Sequence, residues 1–534
     1  MASAAEELDA VVVGAGFAGL YMLHRLREKG LSVKVFEAGD DIGGTWNWNK
    51  YPGARCDVES MDYSYSFDPD LEQEWEWTEK YAGQPEILSY LRHVADRHDL
   101  RKDVVLQTKV TQASFDEDTS RWTVRTDQGH EVSAQYCIMA TGCLSRPKFP
   151  EVPGLDRFSG PWYHTGLWPD SPVDFSGQRL GVIGTGSSGI QVIPFLAEQA
   201  GELTVFQRTP NFVLSAFNGP IDQERVADIK ANYSQAREAA RNSIFGIAVD
   251  MPTQSALEAS AQERQVAYQK GWDRGHLNAI IQAYTDLIFN EESNETAAEF
   301  IRDQARDKVD DPETAAKLEP RGYPFGTKRP CLDTRYYETY NRDDVHLVDL
   351  REEEILEITE TGVRTTADKY EFDSLVIATG FDAMTGALLD IDITGRADMS
   401  LRQKWQEGPD TYLGLAISGF PNLFTITGPG SPSVLSNMIV SIEQHVDWIS
   451  DLIDHMATND RSVVEAVDTA EKEWTDHVRA VGDMTLFPKA DSYYLGANVP
   501  GKARVLMPYV GGVAPYRQKC DEVAGNGYDG FVLR

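Results

Sequence analysis

Leu8-Asp9-Ala10-Val11-Val12-Val13-Gly14-Ala15-Gly16-Phe17-Ala18-Gly19 joins a short apolar run to three glycines in Gly-x-Gly-x-x-Gly spacing. A continuous run of this kind predicts a strand buried in a parallel sheet. The helical pattern Leu20 to Leu26 follows, and Ser32 to Phe36 predicts a second strand that ends in Glu37. Strand, glycines, helix, strand and acid, in register, make a complete dinucleotide-binding unit. Gly14, Gly16 and Gly19 let the backbone approach a pyrophosphate. The helix N-terminus offers it unpaired N–H groups, and Glu37 can accept from ribose hydroxyls.

The arrangement occurs twice. Arg179 to Ile183 predicts another buried strand, followed by Gly184, Gly186 and Gly189 in the same spacing and a helix through Ala197. Thr185, Gly186, Ser187, Ser188, Gly189 and Gln191 supply the loop and first helical turns against which a second nucleotide would lie. The second strand of this unit, Leu203 to Phe206, ends in Gln207-Arg208-Thr209 where the first unit has Glu37. Without the carboxylate there is no repulsion, and a guanidinium can fork onto a 2′-phosphate, so this site predicts NADPH rather than NADH.

Gly43-Gly44-Thr45-Trp46-Asn47-Trp48-Asn49 comes soon after Glu37, and Tyr51 to Ser60, with Arg55 and Asp57, follows it. Two tryptophans and several glycines beside a nucleotide site suit a flat ring system; a Trp-rich core corner accounts for the same residues. Lys109 to Arg146, with Val110 near its start, turns to alternating strands and includes Ala140-Thr141-Gly142, a motif that returns at Ala378-Thr379-Gly380. Such duplication suits two domains joined by paired crossovers, and Pro147, Pro150 and Pro153 mark the first linker. Asp222 to Ala316 carries charged amphipathic segments, such as Val226 to Arg241 and Ala261 to Trp272, and reads as a helical insertion with a solvated charged face. Tyr323 to Pro330 sets Lys328 and Arg329 side by side in a Gly/Pro-framed loop, which on the residues alone reads as surface charge.

The bulk properties bound the reading. With 534 residues the chain exceeds what one core organises, so at least two domains are expected. The formal net charge of -34 argues against nucleic acid or an anionic membrane as partner. No run approaches a membrane span, and the first apolar run is too short for a signal peptide. Five cysteines, an odd number with no C-x-x-C or Cys/His zinc spacing, predict a cytoplasmic location and no metal. The Asn-x-Ser/Thr triplets at Asn232 and Asn294 read as chance occurrences on helices.

Between the two units lies Phe158-Ser159-Gly160-Pro161-Trp162-Tyr163-His164-Thr165-Gly166-Leu167-Trp168-Pro169-Asp170. By composition it is an aromatic-rich crossover, or a hinge that packs in more than one arrangement. Its pattern Phe-x-Gly-x-x-x-His-x-x-x-Trp-Pro-Asp resembles the signature of the type I Baeyer-Villiger monooxygenases. The resemblance runs along nearly the whole chain and is strongest to the phenylacetone-oxidising members, including Gly428 to Met438. It implies an α/β protein with two Rossmann-like dinucleotide-binding domains: an FAD domain from residues 1–147 and 382–534, and an NADPH domain at 148–381 with its helical insertion at about 221–320. It implies that Thr45, Trp46, Trp48, Arg55, Asp57, Tyr63 and Val110 lie in the flavin site. Arg208, Thr209 and Lys328 would grip the 2′-phosphate, and Met438 and Tyr493 would lie near NADP. Arg329, held by Asp57, would stabilise a flavin peroxide, with His164 in the hinge. Leu144, Val434, Leu435 and Met438 would line the ketone pocket. Tyr493 departs from the pattern, since those relatives carry tryptophan there.

The implied activity is insertion of one oxygen atom from O2 beside the carbonyl of an aryl, aliphatic or cyclic ketone, by a monomer, with sulfoxidation as a side activity. Three rivals remain at this level. A flavin N- or S-oxygenase would lack the Trp-Pro-Asp ending. A disulfide reductase would need a cysteine pair that Cys137 and Cys143 do not offer. A non-catalytic NADPH- or flavin-binding protein would not need Arg329, Asp57 and the hinge together.

Overall fold

The computed structural model describes residues 6–249 and 251–534. Among the described residues, the first unit builds an eight-stranded mixed sheet. Glu6–Val13 lies parallel to Val33–Phe36 on one side and to Glu131–Met139 on the other. Val11 and Val12 are fully buried, as a strand covered on both faces requires. Beyond Glu131–Met139 the sheet turns antiparallel through Arg121–Thr126 and Val110–Asp116. Two short strands from the last third of the chain, Asp392–Thr394 and Leu423–Thr425, join the same sheet in parallel. The helix Phe17–Glu28 packs on it, and the helix Met438–Thr458 packs on that helix.

The second unit builds a five-stranded, wholly parallel sheet in the order Val345–Asp349, Glu202–Gln207, Arg179–Ile183, Ser374–Ile377, Trp162–His164. The fold is therefore the expected one, two Rossmann-like sheets, each carrying a glycine loop at the carboxyl end of a central strand. The aromatic stretch supplies this sheet's edge strand, so it is neither a free linker nor a simple crossover.

Both chain crossings between the sheets run side by side. Pro147 and Phe381 form an antiparallel bridge, Lys148 N–H donates to the Gly380 carbonyl at 2.8 Å, and Asp382 N–H donates to that of Arg146 at 2.9 Å. His164 is fastened to the same junction. Its Nδ1 accepts from Gly166 N–H at 3.0 Å, which leaves Nε2 as the proton-bearing nitrogen, 3.1 Å from the Lys148 carbonyl.

The insertion is helical as expected, with helices at Gln223–Ala231, Tyr233–Arg241, Ala261–Arg274, Glu291–Arg306 and Pro312–Leu318. Its charged face is not uniformly solvated. Arg237 is 7% exposed, pairs with Glu72 at 2.8 Å and donates to Ser64 Oγ at 2.7 Å, which pins this helix to the first domain. Arg302 is 3% exposed and pairs with Glu295 and Glu299. Asn232 falls at a junction between two helices. Asn294 is buried in the helix Glu291–Arg306, where its amide has a structural task described below.

Candidate active site

Gly14 has φ +104° and Gly184 φ +111°, a region that disfavours any side chain, and each turns the chain from its strand into the helix behind it. The helices begin at Phe17 and Ser187. Glu37 is buried, and its carboxylate accepts from Ala15 N–H and Gly39 N–H, both at 2.7 Å, so it shapes the first glycine loop. Burial pushes its pKa up despite these two bonds. Thr45 and Trp48 stand exposed on the short helix Thr45–Trp48 beside this loop, while Trp46 is buried and donates Nε1–H to Tyr63 Oη at 3.2 Å. Val110 is buried at the start of its strand, behind the sheet's core.

In the second unit Gly186 faces open space, and Arg208 is exposed at the end of its strand. Lys328 sits over the Tyr323 ring at 4.7 Å. Burial lowers its pKa, the like charge of Arg208 lowers it further, and Asp491 opposes both. Two cations near one another with a glycine loop beside them are a donor set suited to a phosphate monoester. Thr185 Oγ1 lies 3.5 Å from the Thr209 carbonyl, Ser187 Oγ 3.3 Å from Cys331 Sγ, and Ser188 stands in the first turn of the helix Ser187–Gln199. Gln191 and Arg55 serve the joint between the domains. Gln191 accepts from Tyr51 Oη at 2.7 Å and donates to the Arg55 carbonyl at 3.1 Å, while Arg55 binds Glu79 at 2.8 Å.

The loop carrying Lys328 and Arg329 is held by Asn294, whose amide accepts from Phe325 N–H at 2.8 Å and donates to the Phe325 carbonyl at 2.9 Å. Asn211 donates to the Arg329 carbonyl at 3.2 Å. These clasps aim Arg329 out of the second domain and onto the first. Its Nε and Nη2 donate to the two oxygens of Asp57, each at 2.7 Å, and Nη1 donates to the Val434 carbonyl at 2.7 Å. Burial disfavours the charge, but Asp57 outweighs it, so the pKa lies well above the ordinary arginine range. The side chain still leaves 22% of its surface open. Leu144, Val434, Leu435 and Met438 fall in one apolar cluster with Met384, Phe487, Tyr493, Tyr494 and Met507. His164 joins neither group; both its ring nitrogens are committed to backbone, and burial lowers its pKa.

The residues fit the two cofactors the sequence implied. Backbone cradles that admit no side chain occur at both loops, an acid marks the first and paired cations the second, and a half-buried cation reaches from one unit to Asp57 of the other. Sequence reasoning missed Asn294 and Asn211. Their partners are remote in the chain, 31 and 118 residues away, so no local pattern signals them.

The comparisons agree. Residues 11–299 match the family described as pyridine nucleotide-disulphide oxidoreductase. The five cysteines are nevertheless buried and free, so the redox pair of the disulfide enzymes is missing. A phenazine N-monooxygenase from Lysobacter antibioticus is 42% identical, covering 98% of this chain and 97% of that protein. A Baeyer-Villiger monooxygenase from Pseudooceanicola batsensis is 41% identical, covering 98% and 96%. A solved steroid monooxygenase bound to NADP is 50% identical, covers 99% of both chains and superposes with a TM-score of 0.95. On this fold, this site and these likenesses, the chain belongs to the Baeyer-Villiger family of flavin-dependent monooxygenases.

Proposed function

We propose that this protein converts a ketone, O2, NADPH and a proton into an ester or lactone, NADP⁺ and water. The observation that carries the reading is the bidentate Arg329–Asp57 pair spanning the two domains. Bound FAD and NADPH supply the reducing equivalents and the activation of O2. The chain supplies the rest. Glu37 and the first glycine loop hold the flavin nucleotide, with Thr45, Trp46, Trp48 and Tyr63 around its ring. Arg208, Thr209 and Lys328 take the 2′-phosphate. Arg329 stays protonated at any working pH, so it can stabilise negative charge as the ketone carbon becomes tetrahedral without giving up a proton. Asp57 fixes its direction. The apolar wall of Leu144, Val434, Leu435 and Met438 excludes water and receives an uncharged ketone. His164, fastened to the first crossing through the Lys148 carbonyl, sets how the two domains meet.

We place the enzyme in the cytoplasm, where five free thiols stay reduced. No helix among the described residues is long and apolar enough to cross a membrane. We take the working unit to be a monomer.

A second reading, N-oxygenation of an aromatic heterocycle, is favoured by the phenazine N-monooxygenase likeness. The test is product analysis with purified protein, FAD and NADPH, on a phenyl-substituted methyl ketone and on phenazine in parallel. An ester from the first supports the proposal. An N-oxide from the second with no ester across a panel of ketones replaces it.

A further inference from the structure

Tyr51 and Ala54 belong by sequence to the first domain, yet both are buried in an apolar cluster of the second, with Ile190, Ile193 and Leu196 of the helix Ser187–Gln199. The approach is close enough to require glycine between them. Gly53 has φ +83°, and a Cβ there would overlap the Phe195 ring and stand 2.6 Å from the Gln191 carbonyl oxygen. The Gln191 amide completes the contact: its Oε1 accepts from Tyr51 Oη at 2.7 Å and from Arg55 N–H at 3.4 Å, and its Nε2 donates to the Arg55 carbonyl at 3.1 Å. An amide oxygen has two lone pairs and its nitrogen two protons, so a single N–H is left for any ligand. On its other side the loop is held by its own domain, through Cys56 N–H to the Ala82 carbonyl at 3.1 Å and Gln84 N–H to the Ala54 carbonyl at 2.8 Å.

The second domain therefore grips Gly53, Arg55 and Asp57, alternate residues of one loop, at Phe195, Gln191 and Arg329. Gln191 and Arg329 reach that loop from different elements, and Asp57 lies two residues beyond the backbone that Gln191 holds. A single bidentate pair leaves the two domains free to turn about it. A second grip on the same loop fixes the angle. We propose that Gln191 is a positioning residue for the Arg329–Asp57 pair, its amide serving the loop of the first domain rather than the second nucleotide. This differs from the nucleotide contact that its place behind the second glycine loop implied. The inference rests on the role given to Arg329 above.

The test is Gln191→Leu, alone and combined with Asp57→Asn, in the purified holoprotein, read as NADP⁺ affinity, thermal unfolding and ester formed per NADPH consumed. Loss of a nucleotide ligand weakens NADP⁺ binding; loss of a positioning residue does not. The expected NADP⁺ Kd lies within about twofold of wild type. The unfolding penalty of Gln191→Leu should be smaller in the Asp57→Asn background, because the two grips act on one loop. With Asp57 present, ester yield should fall about 10- to 100-fold, the scale of a small misplacement of a reacting group. An NADP⁺ Kd raised about 10-fold or more, additive unfolding penalties, or an unchanged ester yield overturns the proposal. Should Gln191→Leu not fold, Tyr51→Phe, which keeps the ring in the core, carries the same readings with the same signs. If the wild type forms no ester from any ketone, the reaction proposed above is what fails, and the NADP⁺ and unfolding readings, which need no ketone, decide on Gln191 by the same criteria.

Discussion

The two dinucleotide units repeat one backbone solution. A Cβ added at Gly14 would stand 2.5 Å from the Ala140 carbonyl oxygen, and one at Gly184 would stand 2.4 Å from that of Ala378. At the third glycines, Gly19 and Gly189, it would meet the carbonyl oxygens of Gly14 and Gly184 at 1.8 and 2.3 Å. The units part at the middle glycine and at the end of the second strand. Gly16 lies against the backbone of Gly44, 3.3 Å from where a Cβ would be, while Gly186 has nothing within 4 Å. Glu37 accepts two backbone bonds in the first, and the second has the exposed Arg208 in its place, near enough to Lys328 for its charge to lower the lysine's pKa. Backbone geometry answers to the pyrophosphate both share. On the proposed assignment, side-chain charge and the crowding at the middle glycine would answer to which nucleotide enters and how firmly it is held. A flavin site walled by its own following segment suits a resident group; an open loop with two cations suits a coenzyme that comes and goes.

The largest effect should come where the units meet. Arg329→Ala is expected to lower ester formation by ~10²–10³-fold while both nucleotides still bind, measured by product yield beside flavin content and NADP⁺ titration. Retained activity would mean that the bridge between the units is only structural. Next, Arg208→Ala combined with Lys328→Ala should reduce the preference for NADPH over NADH by ~10- to 150-fold, corresponding to ~1.5–3 kcal/mol of charge-assisted bonding, without altering flavin content. Loss of flavin in that variant would erase the division of labour between the loops. A finer probe is the middle glycine. Gly186→Ala should leave unfolding within about 0.5 kcal/mol of wild type yet weaken NADPH binding, whereas Gly16→Ala should destabilise the protein and release flavin.

The smallest effect concerns the junction. Burial lowers the pKa of His164, so the folded state binds this proton less readily than the unfolded chain. Its contribution is therefore complete above the ordinary histidine value of 6.5 and is lost as pH falls from there toward the folded pKa. Protonating Nδ1 would also break the bond from Gly166 N–H. His164→Gln should flatten stability over that window in a pH series of unfolding curves, and an unchanged slope would assign the acid sensitivity to another group.

How much of this was legible depends on distance along the chain. The glycine loops, Glu37 and Arg208 are local patterns within some thirty residues, and a period of two or 3.6 reveals them. Asp392–Thr394 and Leu423–Thr425 are three-residue strands, too short to show a period, though they complete the first sheet. Arg237 and Arg302 sit on amphipathic helices whose charge pattern reads as solvated, because the buried partner of Arg237, Glu72, belongs to another segment and Arg302 is itself buried beneath Glu295 and Glu299 of its own helix. Arg329 and Asp57 stand 272 residues apart, and only the family resemblance paired them. The His164 stretch reads from its composition as a packed crossover or a hinge. Its aromatic residues do gather at the crossings, but as a paired edge strand, which composition alone does not distinguish from a packed linker.

The most direct test of the central claim is isotopic. With ¹⁸O2, NADPH, FAD and a phenyl-substituted methyl ketone, the account predicts an ester carrying one heavy oxygen atom by mass spectrometry and one equivalent of NADPH consumed. An ester with no heavy oxygen, or NADPH consumption that ends in peroxide across a wide panel of ketones, would contradict it.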